Sequence, residues 1–170
     1  MHMTLRFALA LLVAASAVSA LGCGGSGTLT QVLLEVDTDI AAPATIDEIR
    51  ATIRSPSGEA RIASAVLGFG QPLPPRTLAI THGNDRLDGY EVDLEGLSRG
   101  AIVVSRTIVF DMTEGEIRRV VVSLDQACVG VPCSGTTTCS AGTCVDPHVN
   151  TLPLSSAGAD AGSSALDGGT

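Results

Sequence analysis

Asp47-Glu-Ile-Arg-Ala-Thr-Ile-Arg54 alternates without a break. Ile49, Ala51 and Ile53 fall on one side and Arg50, Thr52 and Arg54 on the other, the period of two that sends successive side chains to opposite faces of a strand. Ile46, Ile49 and Ile53 also satisfy helical spacing, and Thr45 with Glu48 three places on has the form of a capping box. The β-branched content and the charge alternation decide for strand, after a short turn at 43–47. Ser55-Pro-Ser-Gly58 then ends the run with turn chemistry.

The same period recurs outward along the chain. Gln31-Val-Leu-Leu-Glu-Val-Asp37 places Val32, Leu34 and Val36 together. Tyr90, Val92 and Leu94 alternate with Glu91, Asp93 and Glu95, and Val120, Val122 and Leu124 share a face in the last candidate, 117–124. In the longest, 101–110, Ile102, Val104, Ile108 and Phe110 share a face that Arg106 interrupts. That arginine reads as a sheet-edge or bulge position. Stretches 61–67 and 77–81 complete the set, with turn signals at 71–75, 83–85, 98–100 and 113–115. About seven short strands across 29–126 predict an all-β fold, an antiparallel β-sandwich of immunoglobulin-like size. Paired cysteines around a core tryptophan are absent, so the prediction concerns architecture alone. With three Phe, one Tyr and no Trp, the core has to be packed from Val, Ile and Leu.

The chain has 170 residues, a net charge of −8, ten arginines and no lysine. That length suits one domain with appendages. The acidic balance excludes a nucleic-acid partner, which requires a basic face to displace counterions from phosphate. The scarcity of aromatic rings argues against stacking platforms as well.

Residues 1–22 read as an export signal. Residues 1–6 carry one arginine, and Phe7 to Val18 is an apolar run of twelve. As a helix it rises only about 18 Å, against about 30 Å of hydrocarbon, so it is an h-region rather than a membrane span. Ser19-Ala-Leu-Gly-Cys23-Gly24 resembles the lipobox of bacterial lipoproteins. The resemblance implies a diacylglyceryl group on Cys23, cleavage before it and a further N-acyl chain, and Gly24 after the cysteine implies sorting to the outer membrane. The competing reading is ordinary cleavage after Ala20. Residues 23–28 then form the lipidated cysteine and a flexible Gly-Ser tether.

The other four of the five cysteines lie at 128, 133, 139 and 144, inside an element spanning 127–147. Zinc ligation is the rival of disulfide bonding, but the cysteines are separated by four, five and four residues, without a tight C-x₂-C pair, and export implies an oxidising compartment. Two disulfides are expected among Cys128, Cys133, Cys139 and Cys144. Three connectivities are open; Cys128–Cys139 with Cys133–Cys144, which closes two equal loops, is preferred. With almost no apolar residues of its own, the element is expected to owe its structure to the bridges. Residues 148–170, rich in Ser, Ala, Gly and Asp, are expected to be disordered.

Taken together, the lipobox, the Val36-Asp-Thr-Asp-Ile-Ala-Ala-Pro43 and Ile46-Asp-Glu-Ile-Arg50 opening, and the closing Cys128, Cys133, Thr138-Cys139, Gly142-Thr-Cys144 resemble a group of envelope lipoproteins of myxobacteria and related bacteria. The resemblance covers residues 1–150 and implies location and architecture but no reaction.

No nucleophile elbow or metalloprotease motif occurs, and no cofactor or metal is expected. His82-Gly-Asn-Asp-Arg-Leu-Asp88-Gly89 is the one polar loop with candidate ligands, Asn84, Asp85 and Asp88. It lacks the calcium-loop spacing and reads as a solvated hairpin turn. The acid pairs Asp37/Asp39 and Glu114/Glu116 read as a solvated rim, and His148 sits at the edge of the tail. The sequence thus points to a membrane-anchored, non-catalytic binding or structural module of the envelope, whose partner is an envelope protein or surface ligand. The alternative is a secreted, unanchored protein, such as a protease inhibitor presenting the loops of 128–144.

Overall fold

The computed structural model describes residues 28–68 and 70–154. The signal, Cys23 and its tether, and residues 155–170 lie outside the described residues. The seven expected strands form: β1 (Gln31–Thr38), β2 (Glu48–Arg54), β3 (Ala60–Val66), β4 (Arg76–Thr81), β5 (Tyr90–Ser98), β6 (Ala101–Phe110) and β7 (Ile117–Leu124). A 3₁₀ turn at Gln126–Cys128 leads to β8 (Thr138–Ser140), β9 (Thr143–Val145) and β10 (Leu152–Pro153). Among the described residues no helix is long and apolar enough to cross a membrane.

The strands assort into two four-stranded sheets, in the orders β10-β7-β1-β4 and β3-β2-β5-β6, plus the β8-β9 hairpin. One pairing departs from the expected antiparallel pattern: β1 and β7 run parallel, from Gln31 opposite Ile117 to Thr38 opposite Leu124. The N–H of Gln31 bonds the carbonyl of Glu116 at 3.0 Å, so the two strands enter their sheet from the same end. A parallel pair needs a long connection, and here the rest of the sandwich supplies it.

The period-two faces meet as the core. Val32, Leu34 and Val36 of β1 and Val120, Val122 and Leu124 of β7 face Ile49 and Ala51 of β2, Val92 and Leu94 of β5, and Val104 and Ile108 of β6. Burying each such Val, Ile or Leu contributes about 1.5–3 kcal/mol relative to exposure. Tyr90 stacks on Phe110 with ring centroids 6.0 Å apart.

Ile102 breaks the expected pattern and is 56% exposed. A register shift between Gly96 and Leu97 in the β5-β6 ladder is the cause, because an extra residue on one strand re-aims the side chains that follow. Leu97, opposite Ile102 in the ladder, is fully buried. Gly96 is required at this irregularity, since a Cβ there would lie 2.8 Å from Val104 Cγ1 and 3.4 Å from Ile46 Cγ2.

The two sides of the sandwich are finished differently. On one side the C-terminal segment seals the edges. Thr107 N–H donates to Thr138 Oγ1 at 2.9 Å, Val109 N–H to the carbonyl of Pro147 at 2.9 Å, and Val149 N–H to the carbonyl of Val109 at 2.9 Å. β10 then adds to β7, with Leu152 opposite Arg119. Residues 148–154 are therefore ordered by pairing, contrary to the expectation drawn from the composition of 148–170. Arg118 holds them further, through Nε to Thr151 Oγ1 at 2.8 Å and Nη2 to the Thr151 carbonyl at 2.7 Å. On the opposite side, among the described residues, β3 pairs with β2 alone and β4 with β1 alone, and both outer edges are open.

Candidate functional site

The residues singled out in the sequence are scattered, and most are structural. Asp39 Oδ1 accepts the N–H of Gln126 at 2.6 Å and so fixes the start of the 3₁₀ turn. Asp37 accepts the N–H of Thr38, Glu116 pairs with Arg118 at 2.7 Å, and Glu114 is exposed. His148 pairs with Asp146 at 2.7 Å in the open. Cys23 lies outside the described residues.

The loop at 82–89 is not a hairpin, because β4 and β5 belong to different sheets and the loop crosses between them. Asp85 is used there as a staple. Its Oδ2 accepts the N–H of Ser57 at 3.0 Å and its Oδ1 accepts the N–H of Arg86 at 2.9 Å. The Ser57 and Ser55 hydroxyls, with these amides, hold its carboxyl well below the usual carboxylate range. His82 Nδ1 lies 3.0 Å from the Tyr90 hydroxyl, and burial pushes the Tyr90 phenol up. Among the described residues no three His, Cys, Asp or Glu side chains gather as a metal set.

Cys128 is bonded to Cys139 and Cys133 to Cys144, at S–S distances of 2.06 and 1.97 Å. The element does not stand on its bridges alone. Cys128 and Cys139 belong to the main hydrophobic cluster, and Val131 and Cys133 pack against it. Asp125 joins this clip to the sandwich, its Oδ2 accepting the N–H of Ala141 at 2.7 Å.

Arg106 belongs to the same junction. It lies on the edge strand β6 opposite Leu94, but its side chain turns inward between the sheets and is only 13% exposed. Nη1 donates to the carbonyl of Ser123 at 3.0 Å and stands 3.9 Å from Asp125, while Nε has no partner. Burial lowers the pKa of the guanidinium, and Asp125 opposes that. For Asp125 burial pulls upward, and the Ser123 hydroxyl, the Ala141 amide and Arg106 together outweigh it and hold the carboxyl down. Of the two positions the sequence allows for Arg106, edge or bulge, the strand is at the sheet edge, and the ladder's irregularity lies at Gly96/Leu97.

The concave feature that sequence reasoning missed is the open seam between β3 and β4. A basin of about 680 Å³ is lined by Ile53, Ala63, Leu78, Ile80 and Tyr90, with Glu59, Arg61 and Asp85 at its rim. A second, of about 370 Å³, adjoins it at Ala63 and Leu78 and is bounded by Val36, Ile49, Ala65 and Arg76. Each falls within the size range of ligand sites. The seam exists because β3 directs Ala63 and Ala65 inward, opposite Ala51 and Ile49, where larger side chains would fill the space. Ile62 and Val66, on the outer side of the same strand, are 70% and 56% exposed. The signal was present in Ala60-Arg-Ile-Ala-Ser-Ala-Val66, whose inward positions are Arg61, Ala63 and Ala65 where those of the other strands carry mostly large apolar residues. Compared with known proteins, the chain matches no family model, no curated protein and no solved structure.

Proposed function

We propose that this chain is a lipoprotein of the bacterial cell envelope, held at the outer membrane or cell surface through lipid on Cys23, and that it serves as a non-catalytic binding or structural module. The anchor rests on the sequence: an h-region of twelve residues followed by a lipobox-like cysteine. The two disulfides agree with an oxidising, extracytoplasmic compartment. The binding role is carried by one observation, the concave seam that, among the described residues, is left open between β3 and β4 while the opposite edges are covered. The inhibitor alternative is less favoured, because Thr138 and Cys139 are buried against the sandwich and the clip serves to cover an edge.

Cys23→Ser tests the anchor. The wild-type chain is expected in the membrane fraction, labelled by radioactive palmitate, and the variant in the soluble fraction without label. A variant that stays with membranes overturns it.

A further inference from the structure

We propose that the seam between β3 and β4 receives an extended peptide segment of a partner protein, which adds antiparallel to the open edge of β3 and runs from an acidic residue beside Arg76 to a basic residue beside Asp85. This deepens the binding reading of the same seam and rests on it.

Three observations carry the inference. Among the described residues the outer edge of β3 is unpaired over Ala60–Val66 and presents backbone donors and acceptors. An open edge is completed by another strand, whose main chain supplies affinity and whose alternate side chains supply selectivity. Second, the inward residues along the middle of that edge are Ala63 and Ala65, with Arg61 on the same face at its end, so alternate side chains of an added strand have volume to enter, over Leu78 and Ile80.

The third observation is charge. Arg76 stands at one end of the seam, bonded only to the carbonyl of Pro72, with no carboxylate in ion-pair range among the described residues. At the other end the carboxylate of Asp85 accepts bonds from uncharged groups and has no cation in range among the described residues. Glu59 and Arg61, also at that end, neutralise each other at 3.3 Å. The seam is thus positive at one end and negative at the other. β4 has six residues between these ends, a span of about 20 Å at ~3.3 Å per residue, which fits a peptide of six or seven residues. Ala65 faces Arg76 across the seam and Arg61 faces Thr81. A strand antiparallel to β3 therefore begins at the Arg76 end, and antiparallel pairing is the more stable kind.

The probe is a fluorescently labelled, end-capped heptapeptide alternating valine and threonine, with aspartate first and arginine last, titrated into the full chain in mild detergent. Saturable binding is expected, weakened about five- to tenfold by Arg76→Glu, since an attraction becomes a repulsion. A peptide with lysine in first place should restore binding to that variant. Ala63→Phe, which fills the seam, should abolish binding; should it not fold, the charge reversal and its rescue still decide. Absence of binding, equal binding of the charge-reversed peptide to wild type, or failure of the rescue overturns the proposal. A solution dimer abolished by Ala63→Phe also overturns it, with a second copy as the occupant. Cys23→Ser fractionation is blind to the seam, and partners crosslinking to the chain away from β3 and β4 would leave the module reading standing while this inference fails.

Discussion

At the scale of single residues, Arg106 and Asp125 show how a charge is kept inside a small apolar sandwich. A buried ion pair is held by geometry rather than by net energy, because desolvation of the two ions offsets most of their attraction. Here the attraction is also stretched, at 3.9 Å, and Nε is unpartnered. Arg106→Met is therefore expected to stay within about 1 kcal/mol of wild type in urea unfolding, because Asp125 keeps the Ser123 hydroxyl and the Ala141 amide, and the relief of desolvation offsets the lost bond to the Ser123 carbonyl. Asp125→Ala should cost about 2–3 kcal/mol, because it leaves the Arg106 charge without its counter-ion and the Ala141 amide without its acceptor. Equal losses in the two variants would mean that the guanidinium bond dominates. Arg106 is visible in the sequence as the exception in an apolar face. Its partner is not, since the pairing spans two sheets and no local spacing records it.

At the scale of elements, strands long enough to repeat a pattern were legible and short ones were not. β1, β2, β5, β6 and β7 each bury at least two residues at alternate positions, and that alternation can be read without knowing what covers it. β8, β9 and β10 have three, three and two residues, too few for a period, and exist because disulfides, Thr107 and Arg118 hold them. Ile102 departs from the face its spacing predicts, because a register shift cannot be seen in one strand alone. The clip yields a prediction from burial. Cys128 and Cys139 are 6% and 5% exposed, whereas Cys144 is open to solvent. Under mild reductant in native conditions, mass spectrometry should find Cys133 and Cys144 alkylated first. Alkylation of Cys128 and Cys139 should require unfolding, because exchange needs access to the sulfur. Simultaneous modification of all four would show that the clip opens as one unit.

At the scale of the whole molecule, the two sides of the sandwich differ in what covers them, and amide hydrogen exchange should report it. Exchange of strand interiors follows the larger openings of the fold, whereas uncovered edges exchange through small local ones. The slowest amides are expected in β1, β2 and β5, each flanked on both sides. Intermediate rates are expected in β6, covered at Thr107 and Val109, and the fastest strand amides in β3 and β4. Protection of β3 equal to that of β2 would show the seam already filled in solution. The all-β class, the strands of the core and the residues most of them bury are written in the residue pattern, because alternation is a local property that any strand with one buried face must show. The cysteine spacing likewise marked the clip as a unit. Only the tertiary structure decided that β1 runs parallel to β7, that 148–154 seal an edge, that Asp85 staples two loops, and that one side stays open. Each of these depends on which distant segments lie side by side, and sheet partnership is settled by the packing of the whole chain, not by any stretch of it.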